Sequence, residues 1–194
     1  MAMTAQEVSS EMQSFVNGCK SLRNAIEAKD FAALTDAKLA LSKVRLAEFS
    51  PADYSVADAE SKYLTAPTVL FTPEFAAELS RKKIIEPCNP AETAHLMRGD
   101  DYDFKLLHGS IEPCSRITFT TEGCDYCEMA LISMSDSNLK FEIIIPDSDI
   151  VPAVVSGGNS ISLAGWTLSE EPTEFQFVVT NNSREPQTFV IAIN

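Results

Sequence analysis

Arg116-Ile117-Thr118-Phe119-Thr120 alternates polar and apolar side chains at every step, and Glu174-Phe175-Gln176-Phe177-Val178-Val179 opens the same way. A period of two sends successive side chains to opposite faces of a pleated strand, so each stretch reads as a strand with one buried face. Working outward, residues 104–107, 129–132, 140–144, 160–163 and 188–193 are short, apolar or alternating, and rich in β-branched and aromatic residues. Turn-forming pieces punctuate them: Glu122-Gly123, Asp136-Ser137-Asn138, Pro146-Asp147, Gly157-Gly158 and Asn181-Asn182-Ser183. Seven short strands with no helix-length segment between them predict an antiparallel β-sandwich of jelly-roll type.

Before Gly99 the period is three to four. Val8, Met12, Phe15, Cys19, Leu22 and Ile26 share one helical face, and Phe31, Leu34, Ala37, Leu41 and Val44 share another. Only Ala28-Lys29-Asp30 separates them, which predicts a helical hairpin. Ser50-Pro51-Ala52-Asp53, Thr72-Pro73-Glu74 and Asn89-Pro90-Ala91-Glu92 are three further helix starts: an oxygen-bearing cap, a proline in the first turn, an acid at the positive helix end. Tyr54, Ala57, Tyr63 and Leu64 supply a buried side for the first of them. The predicted fold is α+β, with a helical region over 1–98 and an acidic antiparallel β-sandwich over 99–194. The boundary is expected within 85–101, where two prolines and a glycine gather.

Charge divides at the same place. The chain has 194 residues and a net charge of −13. Residues 1–98 carry 13 acids and 11 bases, a net −2, whereas residues 99–194 carry 15 acids and 4 bases, a net −11. A field of that sign repels phosphate, so binding of nucleic acid through the second half is excluded, and anionic membrane surfaces are disfavoured. It favours basic protein partners. Hydrophobic residues at 45% and eleven Phe indicate a folded chain with a real core. The longest apolar runs, such as Ile143-Ile144-Ile145, are far short of a membrane helix, so no membrane insertion is expected. The polar opening residues lack the basic and apolar blocks of a secretory leader. They point to the cytoplasm, with a mature secreted form as the alternative.

Chemistry-bearing residues are few. Cys124-Asp125-Tyr126-Cys127 has the spacing by which two thiolates reach one zinc ion, though a complete site needs two more ligands. Of the other cysteines, Cys19 falls in a helix core, and Cys88 and Cys114 stand singly. Asp100, Asp101 and Asp103 crowd the predicted boundary, and Asp136, Asp147 and Asp149 fall in predicted loops. Hard cations take such oxygen ligands, which makes calcium the candidate metal. Trp166, the lone Trp, is either a core filler or a stacking platform for a sugar. Only His95 and His108 could serve a Ser or Cys triad, and the chain has no G-x-S-x-G elbow and no glycine-rich phosphate loop.

No resident cofactor is expected. The resulting expectation is a non-enzymatic binding or assembly module that meets another protein through its acidic β-sandwich. A calcium- or carbohydrate-binding sandwich, and an enzyme with an unfamiliar carboxylate or Cys/His site, are the alternatives. Sequence sets neither the partner nor the oligomeric state.

Overall fold

Phe15, fully buried on the same helical face as Met12, Cys19 and Leu22, shows how the first unit is built. The computed structural model describes residues 7–48, 55–56, 103–133, 139–146, 148, 151–158 and 160–194. The chain divides into two compact units: of the described residues, one holds Ser9–Glu48 and 103–105, the other holds 7–8, 55–56 and those of Leu106–Asn194. In the first unit, α1 (Ser10–Ala28) starts where the Ser9 hydroxyl accepts a hydrogen bond from the Met12 amide at 3.0 Å. It stops at Lys29, whose φ of 53° is left-handed. The Asp30 amide then reaches back to the Ala25 carbonyl at 2.9 Å, a Schellman-type closure. Asp30 in turn caps α2 (Phe31–Leu41), accepting from the Ala33 amide at 3.1 Å. Met12, Phe15, Cys19 and Leu22 of α1 and Leu34, Ala37 and Leu41 of α2 are buried, the stripes expected from the period. Gly18 permits their close approach, since a Cβ there would meet Leu41 Cδ2 at 2.8 Å. The side chains of Ile26 and Phe31 lie outside the described set.

After α2 the chain enters β1 (Leu46–Glu48). Just before it, Arg45 is fastened to Asp103: Nη2 and Nε donate to Oδ1 at 2.7 and 3.2 Å, and the Arg45 amide donates to Oδ2 at 2.8 Å. The Asp103 amide closes the loop on the Arg45 carbonyl at 2.8 Å. No sequence period marks β1, and three residues are too few for one.

The second unit is almost all strand. Its elements are β2 (Ser55–Val56), β3 (Phe104–Ile111, entering from the first unit), β4 (Arg116–Gly123), β5 (Tyr126–Ser133), β6 (Lys140–Ile144), β7 (Val155–Gly158), β8 (Ile161–Thr167), β9 (Thr173–Thr180) and β10 (Gln187–Ile193). Within this unit the larger sheet runs β3-β10-β5-β8-β7 and the smaller runs β2-β4-β9-β6. The pairings β10/β5, β5/β8, β7/β8, β2/β4, β4/β9 and β6/β9 are all antiparallel. Each of the seven predicted strands is present, extended by up to four residues at an end. The helix expected to open at Ser50 is corrected: Ser55 and Val56 are extended and pair with Thr120 and Phe119. Pairing with β4 outweighs the local cap signal there. Gly157-Gly158, read as a turn, ends β7 at a bulge. The helix starts at Thr72 and Asn89 lie outside the described residues.

Alternation holds in the smaller sheet and fails in the larger one. β4 and β6 bury every second side chain, whereas β5 buries all but its first. Met129-Ala130-Leu131-Ile132 is apolar throughout because both faces of a central strand are covered, which a strict period of two does not describe. A single buried cluster draws on both sheets: Phe119, Phe141, Phe175 and Phe177 from the smaller, Met129, Trp166, Phe189 and Ile191 from the larger. Among the described residues no helix is long and apolar enough to cross a membrane.

Gly109 sits under the Phe189 ring, where a Cβ would lie 2.3 Å from Cζ and under 3 Å from two further ring carbons. A rigid ring between two strands has little room to retreat. We expect Gly109→Ala to destabilise the fold by about 1–3 kcal/mol, seen as a lower midpoint in urea. A midpoint equal to wild type would show that the ring is loosely held.

Candidate functional site

Five exposed acids of the second unit meet at one end. β4 and β9 pair in a register that sets Glu122 directly opposite Glu174 and Gly123 opposite Thr173. The two loops beyond these residues also meet. The Asp125 amide donates to the Ser169 carbonyl at 3.0 Å, and the Leu168 amide donates to the Asp125 carbonyl at 2.7 Å. Asp125 takes a left-handed φ of 55°, a conformation Asp tolerates better than most residues. In the opposing loop the Thr173 and Ser169 hydroxyls both donate to the Glu171 carbonyl, at 3.1 and 3.0 Å, which shapes the turn that carries Glu170 and Glu171. Glu122, Asp125, Glu170, Glu171 and Glu174 are therefore neighbours, all five exposed. No base stands among them in the described residues.

The bases of the unit lie at the other end. Residues 106–194 contain only Arg116, Lys140 and Arg184. Arg116 and Lys140 both register with Thr180, one on each side of β9, and Arg184 follows in the turn after it. Glu112, Glu142 and Glu185 share that end, and Lys140 pairs with Glu142 at 3.0 Å. Seven strand steps separate Arg116 from Gly123, about 23 Å at roughly 3.3 Å per residue. Among the described residues one pole is thus balanced and the other is negative. Two like charges directly opposite on neighbouring strands oppose folding, by about 0.2–1 kcal/mol.

The residues singled out in the sequence fall as follows. Asp103 is ionised and occupied by Arg45: burial pushes its pKa up, but the side-chain and backbone hydrogen bonds and the charge of Arg45 outweigh this and hold it below the ordinary value. Asp100 and Asp101, with Cys88, His95, Asp136, Asp147 and Asp149, lie outside the described residues, as does the side chain of His108. Cys124 is exposed and Cys127 buried. The Cys127 thiol, pushed up to about 11 by burial and by the neighbouring Cys124 and Asp125, donates to the Cys124 carbonyl at 3.7 Å. Among the described residues no group of three or more His, Cys, Asp or Glu is placed to hold a metal ion. Trp166 is 1% exposed, with its ring edge-on to Phe175 and its indole N–H without an acceptor.

Asn181, first residue of an Asn-x-Ser glycosylation pattern, is 1% exposed, and its amide nitrogen donates to the carbonyls of Ile111, Glu112 and Glu185. That nitrogen is the atom a sugar would need, so in the folded unit Asn181 staples loops instead. Tyr126, which sequence reading passed over, donates to the Glu7 carbonyl at 2.8 Å and to Glu128 at 3.2 Å. Burial and the Glu128 charge push its phenol up to about 12. No protein-family model matches the chain, and no curated protein matches it in sequence.

Relieving the opposed pair should be measurable. We expect Glu174→Gln to raise stability by about 0.2–1 kcal/mol at low ionic strength, and the gain to shrink in high salt as the Debye length contracts. A variant no more stable than wild type in dilute buffer would mean that the two carboxylates do not repel.

Asp103 gives a pH signature. Its depressed folded pKa makes the contribution fully present above the unfolded value near 4, and it fades as pH falls through the lower folded value. Asp103→Asn should accordingly lower the thermal midpoint at neutral pH, and the deficit should close at the acid end of a midpoint-against-pH series. The size is that of a partly exposed pair, about 0.2–1 kcal/mol. A deficit unchanged down to pH 2 would assign it to packing.

Proposed function

We propose that the chain is a non-enzymatic binding module that docks a basic protein segment on the acidic pole of its second unit. The supporting observation is segregation: five exposed carboxylates share one end, and every base of residues 106–194 is at the other. Charge spread for solubility has no need of such sorting, and a like-charged cross-strand pair is kept at a cost in stability. A partner bearing Lys or Arg would relieve that repulsion on arrival, and the field would speed its approach. We read the two sheets as the layers of an antiparallel, jelly-roll-like sandwich, α1 and α2 as a helical hairpin, and the setting as cytoplasmic.

The test compares two triple variants of the full chain, using a fluorescent Lys/Arg-rich peptide as probe and anisotropy as readout. Glu170→Lys/Glu171→Lys/Glu174→Lys should abolish binding. Glu112→Lys/Glu142→Lys/Glu185→Lys, with the same charge change at the other pole, should retain it. Binding to wild type should weaken as salt rises. Equal loss in both variants, or an affinity indifferent to salt, would overturn the proposal.

A further inference from the structure

The first unit holds a cavity that the acidic pole does not explain. Polar positions of the first turns of α1 and the residues at the end of α2 border an open cleft of about 400 Å³, together with Asp103. That volume lies within the range of small-molecule sites. Ser14 and Asn17 line it from α1, Lys43 and Val44 from beyond α2, with Ala40 from α2 itself and Glu11 at the α1 start.

The lining sorts by chemistry. Among the described residues the Ser14 hydroxyl and the Lys43 ammonium have no hydrogen-bond or ion-pair partner, and Asn17 uses only its carbonyl oxygen, accepting from Gln13 Nε2 at 3.4 Å. Three donors, one of them charged, are thus available in the lining. Glu11 supplies the opposite charge, engaged only by the Ser10 hydroxyl at 2.9 Å. Asp103 adds no net charge to the balance, because its oxygens are taken by the Arg45 guanidinium and amide. Ala40 and the buried Val44 supply an apolar patch. Among the described residues the lining therefore offers one positive charge with neutral donors, one negative charge, and a greasy surface, and these charges balance.

We propose that this cavity binds a small zwitterion of the free α-amino-acid class, one with an apolar side chain. Its carboxylate is received by Lys43, Ser14 and Asn17, its ammonium by Glu11, and its side chain rests on Ala40 and Val44. A simple anion would meet Glu11 and a simple cation would meet Lys43, so each alone is disfavoured, whereas a molecule carrying both charges satisfies the two together.

The full chain is titrated with L-leucine by calorimetry and by thermal shift. A saturable heat and a rising midpoint are expected, with both N-acetyl-leucine (no ammonium) and leucine amide (no carboxylate) binding at least about tenfold more weakly. Lys43→Met, an exposed position, should fold as wild type by circular dichroism and lose about tenfold in leucine affinity. The proposal fails if leucine gives neither heat nor shift, if N-acetyl-leucine binds as well as leucine, or if Lys43→Met binds leucine unchanged.

Discussion

The aromatic cluster that draws on both sheets is the constraint from which the rest of the second unit follows. Phe119 and Phe177, register partners on β4 and β9, stack with centroids 4.8 Å apart, and Phe189 from the larger sheet meets Phe119 edge-on at 6.5 Å. Trp166 of the larger sheet meets Phe175 of the smaller in the same edge-on manner at 5.2 Å. Rings of this size bury some 150–250 Å² each and dominate the energetics of a small core. Their demand for space is strong enough to leave position 109 without a side chain and the Trp166 N–H without an acceptor. An unpaired buried donor costs about 1–3 kcal/mol, and the indole's buried area outweighs it.

Once the rings face inward, register is no longer free, because a slip of one residue would turn Phe119, Phe175 and Phe177 out to solvent. Register in turn decides which outward residues face each other. Glu122 opposes Glu174 only because Phe119 opposes Phe177 three residues earlier, and Arg116 is carried to the far end by the same ladder. Core packing thus sets where the charged side chains of the unit stand, and the loops complete the arrangement. Ser169 and Thr173 hydroxyls shape one turn, the left-handed Asp125 shapes the other, and two backbone hydrogen bonds join them. Cys127 belongs to this frame. Its thiol turns toward the Cys124 carbonyl beneath Gly123, where a Cβ would come within 2.8 Å of the sulfur.

Much of the architecture was legible because burial imposes a period on sequence. The faces of α1 and α2 follow that period, and the seven longer strands show either alternation or a short apolar run between turn residues. The three strands that escaped were too short or too irregular to show one. β1 and β2 have three and two residues, and β7 is interrupted by a bulge and ends in two glycines. The helix start at Ser50 had sound local grammar, yet Ser55 and Val56 found a better partner in β4. Local preference there amounts to tenths of a kcal/mol per residue, and a ladder with a buried neighbour exceeds it.

The candidate sites were less legible, for a related reason. Asp103 was noticed as one of three crowded acids, but its partner, Arg45, is 58 residues away. No spacing rule links such a pair. Sequence alone determined the sign and amount of charge, the change of period near Gly99 and the residues able to fill a core, since all of these depend on composition and on neighbours along the chain. Tertiary structure alone decided that five carboxylates share one end while three bases occupy the other, and that an arginine locks an aspartate. Hydrogen-bond ladders between strands and contacts across long loops bring distant residues to a few ångströms, and distance, not order, sets the strength of an electrostatic interaction.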